Sequence, residues 1–202
     1  THGHFDHYGR EQLTGRYVTY EIWTFYLPPQ TAAPERVRLQ KNLQGAKGNP
    51  PRRAPEIADT VPFMPMDIMG YRVTPLPARH APSIGSLIYL IEKDGTAVLW
   101  DHDSGLMLPE TIEYLRGLDV HLDFVSLDCN LARGQNISPY HMDILQANET
   151  AQLLRQMGRA DERTRFFISH FSHLLDRTHA ELCEEAKEFG FEVAYDGMEI
   201  DI

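Results

Sequence analysis

Four side chains that can bind a metal ion stand within the first seven residues. The segment reads Thr-His-Gly-His-Phe-Asp-His, and in an extended chain His2 and His4 point the same way because side chains alternate with a period of two. Asp6 and His7 follow and turn towards a second position nearby. One cation cannot easily bind all four ligands of so short a segment, so the spacing predicts two adjacent metal ions. A solvated polar terminus or an expression tag is the alternative, although tags usually repeat His contiguously.

The elements that must position such ligands are clearest after residue 70. Strand-like segments alternate with helices after a hairpin at Asp94–Gly95, which predicts a layered α/β architecture. The expected strands are 71–76, 87–92, 97–100, 124–127, 165–168 and 191–194. Helices are expected from Pro109 to about Leu118, from the Asp143 cap to Gly158, and from the Thr178 capping box to Gly190.

The preceding region is less regular. Residues 8–16 favour a short helix and residues 17–26 an extended segment, whereas residues 27–65 hold most of the prolines and predict an irregular basic insert. Within it, residues 35–53 carry six cations against one anion and allow one helical turn at 35–43. This charge indicates either a solvated loop or a lid that binds anions.

The composition limits the function classes. With 202 residues, 42% of them apolar, and a formal charge of −10, the chain is expected to be one soluble domain over 1–202 with little general affinity for nucleic acid. No apolar run approaches the roughly 18 residues of a membrane span. Cys129 and Cys183 are too few for a disulfide framework or a thiolate zinc site, which favours a reducing, cytoplasmic location.

The spacing His-x-His-x-Asp-His at residues 2–7 resembles the signature of the metallo-β-lactamase fold superfamily. The resemblance implies an αββα sandwich in which later strand ends supply a His, an Asp that bridges the metals, and a last His. His80, Asp103 and His170 match these places in order, with Asp103 aligned on the following Ser-Gly. Asp101 and His102 stay open as competitors of Asp103, because three adjacent residues cannot be separated by spacing alone.

The same resemblance implies how the ligands are shared. One ion is expected on His2, His4 and His80, the other on Asp6, His7 and His170, with Asp103 between them. Zinc suits these ligands, and manganese or iron are alternatives. Two such ions imply a metal-bridging hydroxide as the nucleophile, which Asp6 would orient or deprotonate.

A narrower resemblance concerns the second half of the chain. Asp103-Ser104-Gly105, Leu118-Asp119, Leu127-Asp128-Cys129, His141-Met142 and Ser169–His173 are similar to bacterial phosphodiesterase-like members. These include the cyclic-phosphate diesterase of the carbon-phosphorus lyase pathway and, more distantly, the tRNA-maturing endonucleases. The implied substrate is a small phosphodiester, with His141 assisting the leaving oxygen or, alternatively, packing against Tyr140. His173 is expected to support a ligand or face the substrate, and Cys129 to be a core thiol.

Other functions stay open. A thioester or lactam hydrolase of the same fold would use the same metals, and a nucleic-acid-processing nuclease is a further alternative. A non-catalytic interaction module is disfavoured, since candidates exist for all seven ligands. Family members carry strands ahead of the His-rich motif, whereas the chain begins one residue before it. We therefore expect a missing N-terminal segment or a partner chain to complete the fold, with a homodimer as an option.

Overall fold

A seven-stranded mixed sheet forms the centre of the computed structural model, which describes residues 24–45, 56–131, 133–135, 138–173 and 175–202. Its strands, in spatial as well as chain order, are β3 (Met66–Ile68), β4 (Tyr71–Pro77), β5 (Leu87–Lys93), β6 (Thr96–Asp101), β7 (Phe124–Asp128), β8 (Arg165–Ser169) and β9 (Glu192–Val193). A separate parallel pair joins β1 (Thr24–Leu27) to β2 (Glu56–Asp59). The helices are α1 (Pro29–Gly45), α2 (Pro109–Gly117), α3 (Ile144–Gln156) and α4 (His179–Lys187).

The direction of the strands decides where side chains can meet. Pairs from β3 to β6 are antiparallel, and pairs from β6 to β9 are parallel. As a result β4, β6, β7 and β8 all run the same way and end at one edge of the sheet. The helices α2, α3 and α4 provide the crossover connections that parallel pairing requires. This edge is where residues following the strands converge.

The core lies between the sheet and these helices. Leu99, Val125, Leu127 and Ile168 are completely buried in one cluster with the apolar side of α3. Because side chains alternate along a strand, Ser126 and Asp128 lie on the opposite side of β7 from Val125 and Leu127. The rings of Phe124 and Phe167 stack on that opposite side, with centroids 4.9 Å apart.

The predicted elements after residue 70 are confirmed, with small changes at their ends. Asp143 and Gln146 form the reciprocal capping box of α3, and Gly158 follows that helix in the left-handed conformation. Thr178 and Glu181 cap α4 in the same way. The final strand is shorter than expected.

Residues 27–65 are more regular than predicted. They contain the 17-residue helix α1 and the strand β2, so the expectation of an irregular insert was wrong there. The sequence shows no clear helical pattern of apolar residues here, because α1 buries the polar residues Thr31 and Glu35 beside Ala32 and Leu39. The helix also contains Pro34, which is unusual inside a helix. The proposed helix 8–16 and residues 17–23 of the proposed extended segment 17–26 lie outside the described residues, whereas residues 24–26 lie in β1. None of the described helices has the length and apolar character needed to cross a bilayer.

Candidate metal centre

Three side chains from separate loops meet at the common edge of the strands. His80 follows β4, Asp103 follows β6 and His170 follows β8. The Nε2 atom of His80 lies 3.6 Å from Oδ1 of Asp103, and Nε2 of His170 lies 3.2 Å from the same oxygen. The structure therefore brings two imidazoles to one carboxylate oxygen.

Two of these residues adopt a backbone conformation that is uncommon outside glycine. Asp103 has φ of 54° and His170 has φ of 63°, both in the left-handed region. Such residues are typically strained by about 1–3 kcal/mol and persist where surrounding contacts hold them. Here each turns the chain sharply where a parallel strand has ended, which directs the side chain across the sheet edge.

Asp128 is the acceptor that holds the loops together. Its side chain is completely buried at the end of β7. Its Oδ2 atom accepts a hydrogen bond from Nδ1 of His141 at 3.0 Å and lies 3.2 Å from Nδ1 of His170. The other oxygen accepts from the backbone N–H groups of Asn130 and Met142.

The ionisation of Asp128 follows from these contacts. Burial by itself would raise the pKa of this carboxyl, but the hydrogen bonds and charges of His141 and His170 lower its pKa to about 2. Asp128 is consequently a carboxylate at neutral pH. Sequence reasoning did not assign it a role; the available signal was an acidic residue closing the buried strand 124–127.

These contacts determine which ring nitrogens can bind a metal. Nδ1 of His80 faces the carbonyl oxygen of Tyr140 at 3.1 Å, and Nδ1 of His170 faces the carboxylate of Asp128. Both partners only accept hydrogen bonds, so in a neutral ring the proton is on Nδ1 and the Nε2 lone pair points towards Asp103. Lone pairs directed at a carboxylate oxygen repel it unless a cation lies between them.

The donor set therefore fits a metal ion. Single ligand atoms of Asp103, Asp128, His141 and His170 all lie within 4.8 Å of one another. Imidazole nitrogen and carboxylate oxygen together suit divalent transition metals such as zinc. The other predicted ligands, His2, His4, Asp6 and His7, lie outside the described residues.

The neighbours of Asp103 take different positions. Nε2 of His102 lies 2.7 Å from Oγ of Ser126 and 2.8 Å from Oγ of Ser169. Asp101 is completely buried, and its pKa is raised to about 8 by burial and by the negative charge of Asp128. Among the three adjacent candidates, the structure directs Asp103 towards the imidazoles of His80 and His170.

His141 belongs to the same group of rings. Its ring lies 4.7 Å from that of His80 and is stacked on that of His170 at 5.5 Å. His173, by contrast, is exposed. Cys129 is buried, and burial raises the pKa of its thiol, which agrees with a core role rather than a nucleophilic one.

A close backbone approach fixes the segment that carries His141. A Cβ atom added to Gly105 would lie 2.0 Å from the carbonyl oxygen of Pro139, so only glycine fits there. The Gly105 N–H donates to the carbonyl of Arg79. The loops after β4 and β6 and the segment before α3 are thus packed directly against one another.

The family model described as "Beta-lactamase superfamily domain" matches residues 1–171. The chain belongs to this superfamily. The expected metallo-β-lactamase-like α/β fold is confirmed by its similarity to solved structures with this fold. No curated protein matches the chain.

Three solved structures resemble this superfamily member in fold. The short form of human tRNase Z is 16% identical with a TM-score of 0.65, and the match covers 100% of this chain and 77% of that one. A diphosphatase of the PhnP family is 21% identical with a TM-score of 0.61, and the match covers 98% of this chain and 67% of that one. The metallo-β-lactamase fold protein YhfI from Bacillus subtilis is 17% identical with a TM-score of 0.60, and the match covers 96% of this chain and 72% of that one. At these identities the likeness establishes the fold. Superfamily membership and the Asp/His cluster together support a metal-dependent hydrolase.

We expect Gly105→Ala to disturb the metal centre. The new Cβ would meet backbone atoms of Pro139, which cannot rotate away, so the segment bearing Tyr140 and His141 must shift and weaken the contact with His80. Competition with a chelator should show metal affinity at least about fivefold lower, since overpacking of this kind typically destabilises by about 1–3 kcal/mol. Gly117→Ala is the matched control, because nothing lies within 4 Å of a Cβ there. Wild-type metal affinity in Gly105→Ala would refute this account.

Proposed function

We propose that the chain is a phosphodiesterase that uses two divalent metal ions to hydrolyse a small phosphodiester. The observation that carries the proposal is the pair formed by His141 and the buried carboxylate of Asp128, 3.0 Å apart, beside Asp103 and His170. A phosphodiester has a poor alkoxide leaving group, and a histidine held by a carboxylate is suited to protonating it.

The proposed ligand sets follow the resemblance. One ion would be held by His2, His4 and His80, the other by Asp6, His7 and His170, with Asp103 shared between them. The approach of two separate imidazoles, those of His80 and His170, to one oxygen of Asp103 supports this division. Bound zinc, or alternatively manganese or iron, would supply Lewis acidity to the phosphate and lower the pKa of a nucleophilic water.

The residues of the chain would orient the reactants and move protons. Asp6 would position the nucleophilic water or accept its proton. Asp128 holds the Nδ1–H group of His141, and in the doubly protonated ring Nε2 would give its proton to the leaving oxygen. Asp128 also orients His170 through Nδ1, which keeps Nε2 directed to Asp103.

A small substrate is favoured by the charge distribution. The chain has a formal charge of −10, which opposes the approach of long nucleic acids. Two cations of the basic segment are already engaged, since Arg36 is paired with Asp59 and Arg38 with Glu35. Two of the similar structures are named as a diphosphatase and a tRNase, which favours phosphate chemistry over thioester or lactam hydrolysis.

An activity screen tests the substrate class. With defined zinc or manganese loading, we expect turnover of small phosphodiesters and little turnover of thioesters or β-lactams. Preference for a thioester or lactam would overturn the phosphodiesterase proposal. Efficient cleavage of precursor tRNA would overturn the small-substrate part and favour the nuclease alternative.

Metal analysis tests the two-ion arrangement. We expect two tightly bound ions after reconstitution, and we expect His80→Ala and His170→Ala each to lose one of them, because the two imidazoles approach Asp103 separately. Spectroscopy of the cobalt-substituted protein would distinguish the two sites. Loss of the same ion in both variants, or no more than one tight ion in the wild type, contradicts the assignment.

The role of His141 is tested with two leaving groups. His141→Ala should lower turnover of alkyl phosphodiesters by roughly 10²–10⁴, the usual size of general acid catalysis. Nitrophenyl diesters should suffer much less, because nitrophenolate leaves without a proton. His121, which precedes β7 at the opposite edge of the sheet, gives the matched control, and His121→Ala should leave both rates unchanged. Equal losses on both substrates, or loss of metal, would remove His141 from the acid role.

A further inference from the structure

An exposed aromatic residue and a cationic residue each directly precede a histidine of the candidate metal centre: Tyr140 precedes His141, and Arg79 precedes His80. The Tyr140 side chain is 44% exposed, and its ring stands edge-on to that of His80, with centroids 6.4 Å apart. Arg79 immediately precedes His80, and its Nε donates to the carbonyl of Leu106 at 3.1 Å. We refer to Arg79, Leu106 and Tyr140 as the rim.

Arg79 lies near the backbone that leads into Tyr140. A Cβ atom added to Gly105 would lie 2.0 Å from the carbonyl oxygen of Pro139 and 3.4 Å from Cδ of Arg79. The Arg79 side chain therefore lies near the Pro139 peptide, which leads into Tyr140. Leu106, 36% exposed, adds an apolar surface beside Arg79.

The rim is held in place although it is exposed. The carbonyl of Tyr140 is bonded to His80, its N–H donates to Oγ of Ser138, and His141 is fixed by Asp128. When a ligand covers an exposed aromatic side chain, the side chain loses conformational entropy. Because the backbone of this segment is already held by hydrogen bonds, ligand binding need not also order the backbone. Such a ring provides a stacking surface at low entropic cost.

The charge of Arg79 is available for a ligand. Arg79 forms no salt bridge with any residue in the part of the chain that the structure describes, whereas Arg133 and Arg165 are paired with Glu188 and Glu192. With Nε bonded to Leu106, the two terminal nitrogens keep their donors for an anionic oxygen. In a protein of formal charge −10, a cation beside the metal centre attracts an anionic diester locally.

We propose that the rim is the subsite for the second ester substituent of the substrate, and that it selects phosphodiesters in which this substituent carries a planar aromatic ring. Tyr140 stacks on that ring, and Arg79 attracts the negatively charged diester. This inference rests on the proposed phosphodiesterase function, and it concerns specificity rather than the chemical step.

The test compares two substrates that share one scissile bond. Bis(p-nitrophenyl) phosphate and methyl p-nitrophenyl phosphate release the same nitrophenolate but differ in the second substituent. The wild type should have the lower KM for the diaryl ester. Tyr140→Ala should raise that KM about 5–10-fold, the size expected for an aromatic pair, with little change for the methyl ester or in kcat. Tyr140→Phe should retain the preference.

Arg79→Ala should raise KM for both esters about tenfold at low salt, and less at high salt because exposed charges are screened. Arg72→Ala is the matched control, since Arg72 lies at the opposite end of β4. Tyr195→Ala is the corresponding control for an exposed tyrosine. An unchanged aryl preference in Tyr140→Ala, or equal effects of the control variants, would overturn the proposal.

Binding separates this inference from the catalytic proposal. Calorimetry of the metal-loaded protein with diphenyl phosphate and dimethyl phosphate should show tighter binding of the diphenyl ester, and Tyr140→Ala should abolish the difference while metal content stays unchanged. If the wild type hydrolyses no diester but keeps this Tyr140-dependent preference, the function fails and the subsite stands. If it hydrolyses diesters without the preference, the subsite fails.

Discussion

A buried negative charge on Asp128 is the constraint around which the site is organised. A carboxylate without solvent is strongly unfavourable unless donors surround it. The donors of Asp128 come from four directions: its own loop through Asn130, the loop after β6 through Ser104, the entrance to α3 through His141 and Met142, and the end of β8 through His170. Satisfying this one charge therefore helps to fix the relative positions of the loops that follow β6, β7 and β8 and of the segment that leads into α3.

The sheet makes this arrangement available, and the helices stabilise it. Because β6, β7 and β8 are parallel, their carboxyl ends meet at one edge, and each following loop begins there. The buried apolar side of the sheet supplies the rigidity, while the unfavourable left-handed residues Asp103 and His170 are confined to the loops. A rigid support with strained residues at its edge is the arrangement expected where ligands must be held in advance.

The sequence predicts local features better than distant ones. The hairpin at Asp94–Gly95 and the capping box at Asp143 are set by neighbouring residues, so spacing was sufficient to find them. Helix α1 was missed because it buries Thr31 and Glu35, so it lacks a clear apolar stripe. His80, Asp103 and His170 could be named from the resemblance. The function of Asp128 and the backbone contact of Tyr140 with His80 could not, since both depend on strand register and left-handed turns.

Many contacts of the site join residues that are far apart in the sequence, and this affects when the site can form during folding. His80 meets Tyr140 across 60 positions, Asn130 meets His170 across 40, and Ser104 meets Asp128 across 24. Contacts of this kind form slowly, because each requires a large loop to close first. During synthesis from the N-terminus, the carboxylates at 103 and 128 leave the ribosome well before His170. The nascent chain therefore lacks part of this Asp/His cluster until β8 has emerged and paired with β7.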